Sequence, residues 1–582
     1  MLATSRAPLG LGLRRSPALS CAALASLPAA LYMATQPRVG DFAAQVYRTR
    51  LFGHMPFSVW DANWYGGHHL PGYSLLFPPL GWLLGPALLG AIAAVAAAAC
   101  FGALIEEQFG PAARPSSWWF AGLGTASQLF SGRLTFTLGV ALALASLLAL
   151  QRNRPWLSAG LAATTPLASP VAALFLALTL AALGLGRPGR RALTPAAVAV
   201  AALAPALALF GLFPEGGSEP LYRAYLVTTL GMIVALALLV PRGSPRALPV
   251  GVALYAIGTV AAYFIATPVG SNVGRLGELL AGPLLACVLL ESRVSVAGRA
   301  PLAAAACVYA LRHFAPWYEL GALVGAGLLL VGLLRRPRAQ LWAVGAVLGL
   351  APFAIWQWSQ TVVDLRHADD DVGARAGYFR PLIRFLDRAD GPRVWRVEVP
   401  PMREHWESVE IADRFPLARG WERQLDKRDA PLFYHPHSWR RYHAWLEAND
   451  VRFVAVPDAP LDYATGREVA AIRYRAHYLR EVWRSAHWRV YQVSPVPRLV
   501  VPSRGAGIKA RALGPRGVTM SALSRGSALV RVRYTRYWRL DGGCVSRAGD
   551  WTRVTASRTG RLSLSISVTP ARLLPWSGTR CS

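Results

Sequence analysis

Lysine is nearly absent from this chain, and charged residues of either sign are scarce. Lys427 and Lys509 are the only lysines among 61 basic residues, and charged residues make up 16% of the 582. Because soluble domains carry about 25% charged residues, a wholly soluble protein is excluded. The shortage of lysine beside abundant arginine, alanine, glycine and proline is typical of a GC-rich genome.

Acidic residues are also few, and the formal net charge is +30. Nucleic-acid binding is one explanation of such a charge. Many of the arginines, however, fall in short segments between apolar stretches, where they set the orientation of membrane helices. We therefore expect no nucleic-acid partner.

Cysteine is rare, with six in the chain. Four cysteines fall in apolar stretches, where a thiol is an ordinary packing group. Cys544 and Cys581 alone lie in the last, hydrophilic part. We expect these two to form a disulfide in an oxidising compartment. Their spacing matches no metal site.

Long apolar runs are abundant. Stretches of about 20 residues, the length that crosses a bilayer, recur from Ser16 to about Ser359. The segment Trp156–Leu185 contains TTPLASP, which fits two half-helices better than one straight helix. With this segment and the stretch Arg299–Leu334 as two passes each, the sequence predicts a polytopic α-helical membrane protein of about 11 to 13 spans.

The arginines predict the orientation of these spans. Arg14 and Arg15 precede the first span, which indicates a cytoplasmic N-terminus. An odd number of spans then places the C-terminal part outside. We assign residues 1–360 to a transmembrane domain whose first external loop covers 37–74.

Two extracytoplasmic regions follow. Residues 361–497 alternate between helix-like runs such as YFRPLIRFLDRA and YHAWLEAND and strand-like runs such as VRFVAVPD, which predicts a small α/β domain. Residues 498–582 contain short alternating runs separated by Gly and Ser, which predicts a β-rich, sandwich-like domain.

The first external loop concentrates carboxylate, imidazole, guanidinium and aromatic side chains. A simple connector between two membrane helices needs none of them, so the loop indicates chemistry on a polar substrate held near the lipid bilayer. These residues are Asp41, Arg48, Arg50, His54, Asp61, Trp64, Tyr65, His68, His69 and Tyr73.

Over most of its length the chain resembles the GT-C glycosyltransferase superfamily. The likeness consists of an acidic residue soon after the first span, the large aromatic and histidine-rich loop, many spans and an external C-terminal domain. The runs WYGGHHLPGYSLLFPPL and GSNVGRLGELLAGP are similar to segments of actinobacterial envelope proteins of this type. The resemblance implies a bacterial cytoplasmic membrane enzyme. Such an enzyme transfers a sugar from a polyprenyl-phosphate-linked donor to a glycan or lipid acceptor outside.

The resemblance also implies that Asp41 is the catalytic base that takes the proton from the acceptor hydroxyl. From the residues alone, Asp41 could instead solvate a helix end or pair with Arg48 or Arg50. The acidic element here is one residue rather than an acid-x-acid pair, so no cofactor is fixed. A divalent cation remains open, and Asp61 could assist Asp41, bind that cation, or simply form a turn.

Arginines at the external ends of short spans are candidates for binding the carrier phosphate, because a guanidinium fork matches phosphate oxygens. Arg133 lies in SGRLTFTLG and Arg275 in GSNVGRLGE, where Asn272 and Glu278 flank it. The alternative for Arg275 is an ion pair with Glu278 at a helical spacing of three.

Four side chains of the loop are candidates for contacting the substrates. His68 and His69 could contact phosphate or acceptor, although adjacent histidines point in different directions. Tyr65 and Tyr73 could stack on sugar rings, or belong to an interfacial aromatic belt.

Two other classes of function stay open. A transporter or flippase for a lipid-linked or envelope precursor would suit the break at TTPLASP, but the predicted span interiors nearly lack the ionisable groups of ion-coupled carriers. A catalytically inactive scaffold of the same superfamily is the third class.

Overall fold

Apolar helices form the first part of the molecule, a computed structural model that describes residues 16–241, 243–292, 300–312, 339–436, 438–475, 477–573 and 581. Alanine and leucine, both good helix formers, dominate these helices. Among the described residues, five helices are long and apolar enough to cross a bilayer. Numbered along the chain, they are α1 (Pro17–Thr35), α4 (Pro86–Phe109), α7 (Leu134–Gln151), α10 (Leu193–Leu212) and α12 (Ala247–Phe264).

Shorter or more polar helices pack between and beside them. They are α2 (Gly40–His54), α3 (Phe77–Leu84), α5 (Arg114–Trp119), α6 (Thr125–Phe130), α8 (Pro155–Ala168), α9 (Pro170–Leu185), α11 (Arg223–Leu239), α13 (Gly274–Ser292), α14 (Ala300–Leu311) and α15 (Ala339–Asp370). The chain is thus a multi-pass helical membrane protein with a C-terminal soluble part.

The expected break inside 156–185 lies between α8 and α9. Ser169 is extended there, and its side-chain oxygen accepts a hydrogen bond from the amide of Ala172. Pro170 cannot donate to the preceding turn and so begins the new helix. The carbonyl oxygen of Leu167 accepts hydrogen bonds from the amides of Leu75 and Leu76. The residues that follow the first loop therefore pack against this break.

The last predicted span, Leu341–Ser359, lies within α15, which runs on to Asp370. Residues 360–370 contain no proline or glycine to end the helix. Of the two passes predicted for 299–334, α14 belongs to the first. Residues 313–334 and the orienting residues 14 and 15 lie outside the described residues.

The first loop is more ordered than a connector. After α2, a short antiparallel pair joins β1 (Trp60–Asp61) to β2 (His68–His69), and α3 precedes the crossing helix α4. The face of α2 that carries Phe42 and Tyr47 is buried, so this helix packs into the body of the protein.

The next region is a mixed sheet with helices beside it. Its strands are β3 (Arg396–Glu398), β4 (Val451–Pro457), β5 (Leu479–Arg484) and β6 (Trp488–Val493), in the order β3-β4-β6-β5. β3 is parallel to β4, and the other pairs are antiparallel. The helices are Ala376–Asp387, Glu407–Glu410, Arg423–Asp429, Trp439–Ala448 and Gly466–Arg475.

Two four-stranded antiparallel sheets make the last region, with orders β12-β13-β10-β7 and β11-β14-β9-β8. Their buried side chains, such as Val530 and Leu562, form one apolar cluster, as expected of a sandwich. Cys544 and Cys581 are joined by a disulfide. The strands are β7 (Val500–Pro502), β8 (Ile508–Gly514), β9 (Gly517–Ala522), β10 (Gly526–Arg533), β11 (Trp538–Asp541), β12 (Gly543–Ala548), β13 (Trp551–Ala556) and β14 (Gly560–Ile566).

Tryptophans attach the soluble part to the first loop. The indole N–H of Trp406 donates to the carbonyl of Arg38 over 2.8 Å, and that of Trp421 donates to the carbonyl of Gly40 over 2.9 Å. Phe42 and Trp406 also share one buried apolar cluster. The soluble part is therefore held directly against the start of α2.

Candidate active site

Asp41 occupies the first turn of α2, next to the contact with the soluble part. The helix dipole favours a carboxylate at this position. The Asp41 side chain is 39% exposed, and its neighbour Gly40 contacts Trp421 and Glu404 of the soluble part. Asp41 thus lies at the end of the helices that faces the soluble part, with its side chain partly open.

Two arginines from distant parts of the chain converge on Asp41. Arg275 Nη2 lies 3.0 Å from Asp41 Oδ2, and Arg133 Nε lies 4.0 Å from the same oxygen. Arg133 Nη1 in turn lies 2.8 Å from Glu278 Oε2. Arg275 therefore pairs with Asp41. Glu278, the alternative partner that the sequence offered for Arg275, pairs with Arg133 instead.

Local backbone features hold the two arginines in place. Gly132, with φ 71°, turns the chain between α6 and α7. A Cβ atom on Gly132 would lie 2.7 Å from Val39 and 2.9 Å from the amide of Phe42, so only glycine permits this contact. Arg133 is thereby fixed beside the start of α2. Arg275 is the second residue of α13, which directly follows the 3₁₀ turn Gly270–Val273 that contains Asn272.

The charges in this group are balanced but unequally accessible. The side chains of Arg133 and Glu278 are 10% and 11% exposed, whereas those of Arg275 and Asp41 are 20% and 39% exposed. Asp41 and Arg275 are therefore the two members of the group that a ligand can reach more easily.

Tyr73 lies on the side of this group that adjoins the first loop. The guanidinium of Arg48 stands 4.3 Å from the Tyr73 ring centre, and Tyr73 lies within electrostatic reach of Asp41 and Arg275. Of the loop aromatics predicted to contact substrate, Tyr73 is the one that the structure brings near Asp41.

Neither Arg48 nor Arg50 pairs with Asp41. Arg48 forms an ion pair with Glu422, and Arg50 Nη1 lies 2.8 Å from Asp413 Oδ2. Both contacts tie α2 to the soluble part, so the two pairings that the sequence left open for Asp41 do not occur.

Asp61 and Tyr65 are buried away from this group. Asp61 accepts hydrogen bonds from the Tyr47 hydroxyl over 2.8 Å and from the Asn63 amide over 2.9 Å. Burial raises the pKa of Asp61 to about 6. The Tyr65 hydroxyl donates to the carbonyl of Glu422. The expectation that they line the substrate site does not fit this placement, because both side chains are enclosed in packing contacts.

His68 and His69 are likewise buried. His68 stacks on Trp64 with ring centres 5.7 Å apart, and burial lowers the pKa of His68 well below its ordinary value. His69 Nδ1 lies 2.9 Å from Glu215 Oε1, and His69 Nε2 lies 3.0 Å from Thr535 Oγ1. The structure uses His69 to join the loop after α10 to the last region rather than to reach Asp41.

Three carboxylates that sequence reasoning missed lie around Asp41. Asp41 interacts electrostatically with Glu219 and with Asp364. Asp364 in turn interacts electrostatically with Glu404. Burial raises the pKa of Glu219 to about 7 and that of Glu404 to about 7. The sequence carried weak signals for two of them, since Glu219 lies in a polar loop between two spans and Asp364 directly follows the last one.

A divalent cation finds little support in this donor set. Two guanidinium groups stand within 4.0 Å of Asp41, and like charges disfavour a cation there. Among the residues that the structure describes, no group of three or more His, Cys, Asp or Glu side chains is placed to hold a metal ion. The position suits an anion better.

Comparisons with known proteins assign this chain neither a family nor an activity. No protein-family model matches the chain, and no curated protein matches it significantly. ArnT from Cupriavidus metallidurans in the apo state is 13% identical, with 79% of this chain and 94% of that chain covered and a TM-score of 0.43. ArnT bound to undecaprenyl phosphate is also 13% identical, with 82% and 98% covered and a TM-score of 0.42. These scores assign no activity, so function has to rest on the side chains.

Proposed function

We propose that this chain is a membrane glycosyltransferase. It would transfer a sugar from a polyprenyl-phosphate-linked donor to an envelope glycan or lipid acceptor on the extracytoplasmic side of a bacterial cytoplasmic membrane. The N-terminus would be cytoplasmic and the soluble part extracytoplasmic. The observation that supports this most is the partly exposed Asp41 facing Arg275 and Arg133 where the helices meet the soluble part.

The arginines suit the phosphate of the donor. A guanidinium presents several N–H groups in a plane, which matches phosphate oxygens in a bidentate manner. Arg275 donates from one such group to Asp41, and within the part of the chain that the structure describes its other N–H groups have no hydrogen-bond partner. Arg275 and Arg133 place two guanidinium groups within 4.0 Å of Asp41, and a guanidinium near lipid needs an anionic partner or access to water.

Asp41 suits the base. In the proposed step, the acceptor hydroxyl gives its proton to the Asp41 carboxylate while its oxygen forms a bond to the anomeric carbon of the donor sugar. The bond from that carbon to the phosphate oxygen breaks, and the electron pair leaves with the polyprenyl phosphate. Arg275 and Arg133 stabilise the charge that develops on the departing phosphate.

The helix break that favoured a transporter has a structural explanation. The helix break at Ser169 could have lined a pathway, but the carbonyl of Leu167 at this break is already hydrogen-bonded by Leu75 and Leu76. The break therefore serves the packing of the first loop.

The test uses cells that lack the chromosomal copy and express either the wild type or Asp41→Asn. Loss of the protein is expected to raise the level of carrier-linked sugar and to shorten one envelope glycan. Wild type restores both, whereas Asp41→Asn slows transfer at least about 100-fold, as expected for loss of a general base. Mass spectrometry of extracted lipids and glycan analysis measure both effects.

Asp369→Asn is the matched control, because Asp369 is an exposed carboxylate at the end of α15. It should behave as wild type. A flippase or a scaffold predicts instead that Asp41→Asn restores the glycan as well as the wild type does, and that result would reject the enzyme.

A further inference from the structure

The soluble part meets the membrane helices at a second place, between the loop that follows α10 and the helix Arg423–Asp429. Gly217 in this loop has φ 80°, and a Cβ atom there would overlap the carbonyl oxygen of Gln424. Only glycine permits so close an approach. The loop thus holds Glu219 and Tyr222 against the soluble part.

Two tyrosines from opposite sides of this contact face Lys427, and a third, Tyr463, contacts one of them and lies 4.7 Å from the guanidinium of Arg423. The hydroxyl groups of Tyr222 and Tyr463 are 2.8 Å apart, and these residues are 43% and 64% exposed. Lys427 Nζ lies 4.9 Å from the ring centre of Tyr434 and 5.6 Å from that of Tyr222. We call Tyr222, Tyr434, Tyr463 and Lys427 the tyrosine–lysine cluster.

Lys427 differs from the arginines on the same helix. Arg423 Nη2 lies 2.6 Å from Asp462 Oδ2, and Arg428 Nη2 lies 2.7 Å from Asp429 Oδ2. For Lys427, no carboxylate lies within ion-pair distance in the part of the chain that the structure describes. Lys427 is one of two lysines in a chain that otherwise uses arginine. Its ammonium packs against aromatic rings, so it can pair with an anionic ligand.

The tyrosine–lysine cluster adjoins the candidate active site. Glu219 lies within electrostatic reach of Lys427 and Arg423 on one side and of Asp41 on the other. The Ser271 hydroxyl, from the turn that leads into α13, donates to Glu219 Oε1 over 3.4 Å. One charged residue therefore connects the two groups of side chains.

We propose that the tyrosine–lysine cluster is an acceptor subsite that takes a saccharide bearing a carboxylate, an inference that rests on the proposed function. The exposed rings of Tyr222 and Tyr463 offer amphipathic faces for sugar rings, and Lys427 pairs with the carboxylate. A second phosphate fits less well, because phosphate favours guanidinium forks such as those at Asp41, whereas Lys427 is a compact point charge.

Binding by the full-length protein in nanodiscs of zwitterionic lipid tests this proposal. The probes are a galacturonic acid tetrasaccharide and its uncharged methyl ester, followed by titration calorimetry. The wild type is expected to bind the acid about tenfold more tightly than the ester, since hydrogen bonds to charged groups are the stronger ones. Lys427→Gln should abolish that preference, and Lys427→Arg should retain most of it.

Lys509→Gln is the matched control, because Lys509 is an exposed lysine on β8. It should bind as the wild type does. Thermal unfolding of each variant confirms that it is folded. Equal binding of acid and ester, binding of neither, or an unchanged preference in Lys427→Gln overturns the proposal. A Lys427-dependent affinity for nanodiscs with anionic lipid, without saccharide binding, also overturns it.

The two proposals fail separately. If Lys427→Gln keeps the preference while Asp41→Asn abolishes transfer in cells, the subsite is wrong and the glycosyltransferase stands. If Asp41→Asn transfers normally, the enzyme is wrong whatever the saccharide binding shows.

Discussion

Carboxylates and guanidinium groups come together at two places, around Asp41 and around Arg419. The two groups differ in how far their side chains are exposed. Arg419 lies 2.7 Å from Asp426, 3.3 Å from Glu468 and 3.8 Å from Glu398. All four of these side chains are buried. At the other group, the Asp41 side chain is 39% exposed, with Arg275 at 3.0 Å and Arg133 at 4.0 Å.

Burial also affects protonation around Arg419. It raises the pKa of both Glu398 and Glu468 above the ordinary value of a glutamate. Protons then offset part of the excess negative charge around one arginine. The Arg419 group is satisfied by its own members and serves the fold. The Asp41 group has an open side, which a substrate can occupy.

The largest expected effect is a loss of stability when the buried group around Arg419 is changed. Arg419→Met leaves three buried carboxylates without a cation and should destabilise the protein by about 3–5 kcal/mol. Thermal unfolding in detergent measures the loss. Arg50→Met is the control, because the Arg50 side chain is 40% exposed and such surface pairs contribute about 0–1 kcal/mol. Equal melting temperatures for the two variants would contradict a structural role for Arg419.

The open group should lose activity rather than stability. Arg275→Gln removes a donor to the departing phosphate and is expected to lower the transfer rate by about 10²–10³, with a smaller loss of stability than Arg419→Met causes. Arg275→Lys keeps the positive charge but lacks the planar guanidinium, so its transfer rate should lie between those of the wild type and Arg275→Gln. Transfer rate and melting temperature, measured on the same preparation, separate these effects. Loss of both together would mean that Arg275 is structural.

Glu404 gives the smallest effect and the one that depends on pH. Burial raises the pKa of Glu404 to about 7, against about 4.3 in an unfolded chain. Between these values the folded state binds more protons, so stability falls as the pH rises from about 4 to 7 and then levels off.

Glu404→Gln should make this slope shallower, because Asp61 and Glu219 also contribute to it, and should stabilise the protein at pH 8 relative to the wild type. Melting temperature against pH measures it. Glu447→Gln, at a side chain that is 41% exposed, should follow the wild type. An unchanged slope in Glu404→Gln would place the titrating group elsewhere.

The membrane helices were predictable from sequence because span length and flanking charge are local signals. The apolar run at 134–150 corresponds to α7, and the run at 194–213 corresponds to α10. The helix and strand runs of the soluble part were also local. The extension of α15 to Asp370 was missed, because polarity marked the end of the apolar run and not the end of the helix.

The site was predictable only in part. Arg133 and Arg275 were recognised because a guanidinium at a span end near lipid needs an anionic partner, and the structure gives both the same neighbour, Asp41. His69 and Asp61 have the same composition signal, yet they are buried structural groups. Residue type and spacing do not reveal burial, and the contribution of Glu404 depends on docking of the soluble part, which no local pattern encodes.

Purified wild type and Asp41→Asn, each supplied with a native lipid extract that contains carrier-linked sugar, test the role of Asp41 most directly. Bound lipid and released polyprenyl phosphate are quantified together by mass spectrometry. We expect Asp41→Asn to retain the bound donor while release of polyprenyl phosphate falls at least about 100-fold. Release at the wild-type rate from Asp41→Asn would contradict the assignment of this carboxylate as the base.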